Sequence, residues 1–235
     1  MVRSTMNRVM VSVIIPAWNE SESIGTVLAA ISMNSVDEVL VVDGGSSDGT
    51  AVIAAAAGAR VVIEPRRGYG RACATGAEQA IGEILLFLDA DGADDPSRIA
   101  DVLAPIQAGL ADLSLGSRLA GRMERGAMPW HQRAGNWLSA GLISRLYGCR
   151  LTDLSPFRAV RKSKLAELNL CEMTYGWPTE MIVRAARQGW KLVEVPVGYR
   201  PRIGGKSKIS GTFKGSLLAT YFILKVIARY ARDIR

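Results

Sequence analysis

Short runs of Val, Ile and Leu alternate with longer helix-patterned stretches along most of the chain, and this order restricts the fold more than any other feature. A strand buried on both faces of a parallel sheet reads as a continuous apolar run, and each parallel pair needs a crossover, usually a helix. An α/β fold with a mostly parallel central sheet follows. Strands are expected at 9–15, 38–42, 60–63, 84–88, 113–116 and 191–197. Helices are expected at 21–33, 49–57, 70–81, 96–109, 130–147, 178–188 and 211–231. Asp95 before Pro96, and Asp48 before Gly49-Thr50, read as helix caps. No repeat or low-complexity linker divides the 235 residues, of which 49% are hydrophobic, so a single domain is expected.

Charge narrows the partners. Twenty-nine Lys and Arg against 22 Asp and Glu leave a net +7, which favours anionic ligands. Nucleic acid is disfavoured, because no RRM, zinc-finger or helix-turn-helix signature accompanies the charge. Cys73, Cys149 and Cys171 form neither a disulfide framework nor a Cys-rich zinc site, and a reducing cytoplasm fits them. The one histidine, His131, reads as an ordinary helix-start or loop residue and excludes any zinc site needing two imidazoles. No G-x-G-x-x-G follows the first strand and no G-x-x-x-x-G-K-[ST] occurs, which disfavours a dinucleotide Rossmann site and a P-loop. Two polar, basic loops, at 121–128 and 196–215, are long enough to act as binding loops or lids over a second ligand.

The wholly apolar run Ile84-Leu85-Leu86-Phe87-Leu88 ends in Asp89-Ala90-Asp91. Carboxylates at i and i+2 of a strand point to one side and repel unless a cation joins them, and hard cations such as Mg²⁺ or Mn²⁺ take oxygen ligands. Ligands of open α/β sheets also gather at the carboxyl ends of strands. Asp94 and Asp95 read instead as a solvated turn and a cap. Asp43, at the end of the second strand, reads equally as a turn residue or a ligand contact. Arg118, Arg122, Arg125 and Arg133, with Arg200, Arg202, Lys206 and Lys208, supply the cations that a phosphate site needs, or else a solvated basic surface.

Ile14-Ile15-Pro16-Ala17-Trp18-Asn19-Glu20, Val42-Asp43-Gly44-Gly45-Ser46-Ser47-Asp48-Gly49-Thr50, Gly68-Tyr69-Gly70-Arg71-Ala72 and Leu88-Asp89-Ala90-Asp91-Gly92 together resemble glycosyltransferase family 2. Gly116-Ser117-Arg118, Thr152-Asp153-Leu154-Ser155-Pro156-Phe157-Arg158-Ala159, Glu180 and Arg202-Ile203-Gly204-Gly205-Lys206-Ser207-Lys208 resemble its dolichyl-phosphate-mannose synthase branch. The resemblance implies a Rossmann-like nucleotide-diphospho-sugar transferase (GT-A) fold. It also implies inverting, Mg²⁺- or Mn²⁺-dependent transfer of a hexose from a donor of the GDP-mannose or UDP-glucose type to a polyprenyl phosphate.

By motif, Pro16, Trp18, Glu20 and Asp43 would hold the nucleoside, and Asp89, Ala90 and Asp91 would face ribose, diphosphate and metal. The metal ligands would be Asp89 and Asp91. Arg202 and Ser207 would meet donor phosphate, and Arg118, Arg133, Arg158 and Glu180 would face the acceptor, with Asp89, Asp91 and Arg118 the catalytic residues. Residues 1–117 would form the nucleotide-sugar half and 118–235 the acceptor half. Three departures from the family pattern bear on specificity: Ala93 where some relatives carry a metal-binding Gln, Ser155-Pro156 for Ser-Gly, and Gly44-Gly45 for an Asp-Asn type pair.

An ionised phosphate acceptor needs no general base, whereas a sugar hydroxyl does. Glu180 stands about where hydroxyl-transferring relatives have that base, which keeps a hydroxyl acceptor as the alternative, alongside a binding protein without catalysis. No stretch reaches the roughly 20 apolar residues of a spanning helix. From Pro196 to Arg235, nine basic residues against the single acid Asp233 suit a peripheral protein at an anionic membrane surface, on the inner face.

Overall fold

A computed structural model describes residues 9–204, 221 and 223–230 of the chain. The elements run β1 (Val11–Ala17), α1 (Ile24–Ala29), β2 (Glu38–Asp43), α2 (Thr50–Ala56), β3 (Arg60–Ile63), α3 (Tyr69–Gln79) and β4 (Ile84–Phe87). A 3₁₀ turn (Pro96–Arg98) leads into α4 (Ile99–Gln107), followed by β5 (Leu113–Ser117) and α5 (Trp130–Tyr147). Then come β6 (Arg158–Arg161), α6 (Lys162–Glu167), α7 (Trp177–Arg187) and β7 (Leu192–Pro196), and a helical stretch over 223–230.

The seven strands form one sheet in the order β3-β2-β1-β4-β6-β5-β7, parallel except for β6, which runs antiparallel to both β4 and β5. This is the expected α/β, GT-A-type architecture. Successive residues of a strand face opposite sides, so the sheet feeds two cores. Ile84 and Leu86 of β4 pack with Ile24, Val102 and Leu103 on one side. Leu85 and Phe87 pack on the other with Ala140, Ile143, Trp177 and Met181. The chain leaves β1 toward β2 and β3, then returns to β4 on the far side of β1. The carboxyl ends of β1, β2 and β4 therefore open around a topological switch point, where α/β sheets bind ligands.

Six expected strands are present within two residues at each end, and α5 occupies the expected 130–147. Two elements were not foreseen, β6 and α6. Arg158-Ala159-Val160-Arg161 lacks the apolar run that announced the other strands, and it is a strand because two neighbours each offer it an open edge. Helix α1 is shorter than the expected 21–33 because the Glu20 carbonyl accepts the N–H groups of both Ser23 and Ile24 in a turn. The expected helix over 211–231 falls mostly outside the described residues. Its described part buries Val226, Ile227 and Tyr230 in the core. Among the described residues no helix is long and apolar enough to cross a membrane.

Candidate active site

A cleft of about 760 Å³ opens at the carboxyl ends of β1, β2 and β4 and is closed from above by α5 and the segment 199–202. Pro16, Trp18 and Glu20 enter it from the end of β1, and Asp89, Ala90 and Asp91 from beyond β4. Arg118 enters from the end of β5, and Arg202 from the second basic loop. Eight of the expected site residues thus share one cavity.

The carboxylates are held from both sides. Asp89 Oδ1 accepts the Tyr69 hydroxyl at 2.8 Å, and Asp91 Oδ1 accepts the Ala93 N–H at 2.9 Å. Burial and the neighbouring Asp91 charge push the Asp89 carboxyl well above the usual range. Gly92 makes the turn possible: its φ of 73° is left-handed, and a Cβ there would collide with Ile203. Tyr199–Ile203 then runs across this turn. Arg200 N–H donates to Ala93 O at 3.0 Å, Arg200 Nε to Gly92 O at 2.8 Å, and Ile203 N–H to Asp91 O at 3.1 Å.

Arg202 Nη2 donates to both Glu20 carboxylate oxygens at 2.8 and 3.0 Å, while Nη1 lies 3.4 Å from Asp91 Oδ2. Its buried Nε has no partner among the described residues. Arg118 is fixed more rigidly. Its Nε and Nη2 donate bidentately to Asp153 at 2.9 and 2.7 Å, its backbone N–H also reaches Asp153, and Asn136 secures the same carboxylate. The guanidinium lies 5.0 Å from the centre of the Tyr199 ring, a cation–π contact. Burial opposes the Arg118 charge, but Asp153 beside it outweighs that and holds the group cationic.

The donor set at Asp89 and Asp91 is all oxygen, and two like charges meet there. These residues fit a hard divalent cation such as Mg²⁺ or Mn²⁺. Ala93 offers such an ion no side-chain atom.

Several expected positions are corrected. Arg158 is wholly buried, and its guanidinium serves the carbonyls of Ser155, Pro156 and Pro178, so it braces the loop under the cleft and does not face an acceptor. Glu180 is also wholly buried. Its Oε2 accepts the N–H groups of Cys171 and Glu172 at 2.9 and 2.7 Å, and its Oε1 takes the Tyr230 hydroxyl and lies 3.4 Å from Arg184. Arg133 projects from the other side of α5 into a separate groove. Asp43 is buried behind Gly44 and closes the turn through Ser46, so Gly44 and not Asp43 lines the cleft. Asp94 is no solvated turn residue: the Tyr199 segment bridges it, and burial pushes its carboxyl well up. Ser207, Lys206 and Lys208 lie outside the described residues. Asp95 caps as expected, accepting Ser97 N–H, whereas the N-cap of α2 is Gly49, and Asp48 one residue before it accepts Thr50 N–H.

The cleft also holds Tyr69, His131, Asn136 and Tyr199, which the residue pattern did not single out for the site. The Thr152-Asp153 motif was the available signal for the carboxylate that holds Arg118. His131 carried none, because a lone histidine at a helix start has no spacing to read.

The chain matches the profile of Glycosyl transferase family 2 across residues 12–168. The chain belongs to glycosyl transferase family 2. It is a glycosyltransferase. It is 40% identical over 220 residues to an uncharacterized glycosyltransferase of Mycobacterium tuberculosis, covering 93% of this chain and 98% of the relative. It is 33% identical over 218 residues to the dolichyl-phosphate hexose transferase of Haloferax volcanii, covering 92% of each. This similarity agrees with the polyprenyl-phosphate hexosyltransferase branch that the motifs resemble. Among solved structures, the glucosyl-3-phosphoglycerate synthase of M. tuberculosis in complex with Mn²⁺ and UDP-glucose superposes with a TM-score of 0.74 at 25% identity, over 95% of this chain and 79% of that one.

Proposed function

We propose that this glycosyltransferase moves a hexose, with inversion, from a nucleoside diphosphate sugar of the GDP-mannose or UDP-glucose type to a polyprenyl phosphate. The observation that carries the reading is the place of Glu180. A hydroxyl acceptor needs a base in the cleft, and the carboxylate expected in that role faces the interior with both oxygens engaged. A phosphate acceptor arrives ionised and needs only cations to aim it.

In this reading residues 1–117 hold the donor and 118–235 the acceptor, which a membrane presents. Trp18 and the Gly44 turn receive the nucleoside. Asp89 and Asp91 would hold Mg²⁺ or Mn²⁺, which when bound neutralises the departing diphosphate. Arg202, which lines the same cleft beside Asp91, adds a cation to that diphosphate. Arg118, rigid between Asp153 and Tyr199, orients the acceptor phosphate so that its oxygen attacks the anomeric carbon from the face opposite the leaving group. The Haloferax relative is named for a dolichyl-phosphate acceptor. A second reading, transfer to a hydroxyl of a small phosphorylated acceptor, is favoured by His131 on the cleft wall and by the structural neighbour named for glucosyl-3-phosphoglycerate.

Labelled hexose entering the butanol phase with polyprenyl phosphate, and not the water phase with 3-phosphoglycerate, is the expected result. Glu180→Gln and His131→Gln should each keep single-turnover transfer within about tenfold, short of the 10²–10⁴-fold that a general base supplies. A thousandfold loss in either, with fold and donor binding unchanged, would establish the hydroxyl reading instead.

A further inference from the structure

Glu180 is a wholly buried carboxylate that the proposed transfer does not use. Burying a charge is costly unless partners hold it, so what it holds in return shows its purpose. Its Oε2 gathers the N–H groups of Cys171 and Glu172, while Tyr230 and Arg184 secure Oε1. Glu172 continues the turn by accepting the Thr174 hydroxyl at 2.5 Å and the Thr174 N–H at 3.2 Å. Glu180 therefore fixes the backbone of 171–174.

That backbone ends on the start of α3. Met173 O accepts the Arg71 N–H and Thr174 O accepts the Gly70 N–H, each at 3.1 Å. The first N–H groups of a helix have no partner within it and are open to an anion unless something else takes them. Here the loop carbonyls take two of them. The fit is close: a Cβ on Gly70 would stand 2.6 Å from Glu172 O and 2.7 Å from Trp177 Cβ, and one on Gly68 would collide with Met173 O. The two glycines of Gly68-Tyr69-Gly70 thus make room for the loop and not for a phosphate. Between them, Tyr69 stacks on Tyr175 of the same loop with ring centres 6.5 Å apart, and its hydroxyl donates to Asp89 Oδ1 at 2.8 Å.

We infer that Tyr69 positions Asp89 for the divalent cation, and that Glu180 sets Tyr69 through the loop 171–175. This rests on the proposed reading, in which Asp89 is a ligand of Mg²⁺ or Mn²⁺. Asp89 alone would rotate away from the like charge of Asp91. The Tyr69 hydroxyl on Oδ1 holds the carboxylate in place and leaves Oδ2 to the cation. Both Tyr69 and Glu180 are positioning residues that act through Asp89, and the role accounts for a buried charge that no proton transfer employs.

The test is titration of the full chain with Mn²⁺ in the presence of UDP and, separately, of GDP, read by the EPR signal of free Mn²⁺. Tyr69→Phe keeps the ring and removes the hydroxyl. Its dissociation constant for Mn²⁺ should rise about 10–10²-fold, the usual effect of losing a group that orients a metal ligand. Glu180→Gln should raise the constant less, and Tyr230→Phe, which releases the same carboxylate from outside, should act alike. Tyr69→Phe combined with Glu180→Gln should bind no more weakly than Tyr69→Phe alone, because both act on one hydroxyl. Asp95→Ala, which loses a cap elsewhere, should leave the constant unchanged although it lowers stability. Unchanged Mn²⁺ affinity in Tyr69→Phe would overturn the proposal. No loss in Glu180→Gln and Tyr230→Phe, or additive losses in the double variant, would overturn the part that runs through Glu180. Asp89→Asn separates the two levels: if it abolishes Mn²⁺ binding while Tyr69→Phe does not, only the positioning role fails, and if it retains Mn²⁺ binding, the metal reading fails and takes the positioning role with it.

Discussion

The two ends of the cleft are built by different means. In the proposed reading, the donor end takes Trp18, Gly44, Asp89 and Asp91 from the ends of three parallel strands that lie side by side, each reached by a short turn from a buried apolar run. The acceptor end takes Arg118, Asn136 and Tyr199 from segments far apart in the chain, each aimed by a polar partner, while Arg202 reaches from the Tyr199 segment across to Glu20 and Asp91. Rigidity at the first end comes from the sheet, and at the second from buried ion pairs and hydrogen bonds. Substitutions should therefore act differently: at the donor end they remove charge and leave geometry, and at the acceptor end they release geometry as well.

The largest expected effect is at the donor end. Asp91→Asn should lower kcat/KM by about 10³-fold with the thermal midpoint unchanged, because it would weaken the hold on the divalent cation that neutralises the diphosphate. Near-normal turnover at limiting Mn²⁺ would break the comparison at its stronger side. Arg118→Lys at the acceptor end and Arg202→Lys beside Asp91 replace planar forks by point charges and should each lower kcat/KM by about 10–10²-fold. For Arg118→Lys part of that loss should appear as lowered stability, since Asp153 keeps its burial and loses a bidentate partner. Arg229→Lys, an exposed control on the C-terminal helix, should be silent. Equal small losses at all three would reduce the acceptor end to a solvated basic surface.

A smaller effect tests the loop that carries Arg67, whose guanidinium stacks on Trp18 at 4.1 Å. Hydrogen bonds from Arg66 and Thr75 lower the Glu64 carboxyl from 4.5 to about 2 against the effect of burial. A lowered folded value means that its stabilisation is fully present above pH 4.5 and lost as pH falls toward 2. Thermal midpoints of Glu64→Gln should accordingly lie below the wild type at neutral pH and converge with it in that acid window. A constant gap would show that Glu64 acts through packing alone. The smallest effect is a cap: Asp95→Ala should cost about 1 kcal/mol by denaturant titration and leave transfer unchanged.

Arg158 and Glu180 show where reading by residue type reached its limit. Both are charged, both sit in motifs shared with the resembled branch, and both are wholly buried. A charged residue in a motif serves equally well as a ligand contact or as a brace, and only its hydrogen-bond partners distinguish the two. Those partners are backbone carbonyls for Arg158, and two N–H groups, Tyr230 and Arg184 for Glu180. Asp94 makes the same point in reverse. It stands beside a well-read cap, and it is buried by a segment more than a hundred residues away.

What the sequence by itself determined is the mostly parallel sheet and the delivery of Asp89 and Asp91 to its carboxyl edge, because apolar periodicity and strand-end chemistry are local and survive in one dimension. The family follows from the same local motifs. What only the tertiary structure decided is the switch point, the insertion of β6 between β4 and β5, the Asp153 fork that aims Arg118, the Glu20–Arg202–Asp91 bridge and the inward turn of Glu180. Each depends on which distant segment supplies a partner for a buried charge or covers an apolar face. That is a property of packing in three dimensions, which no spacing along the chain encodes.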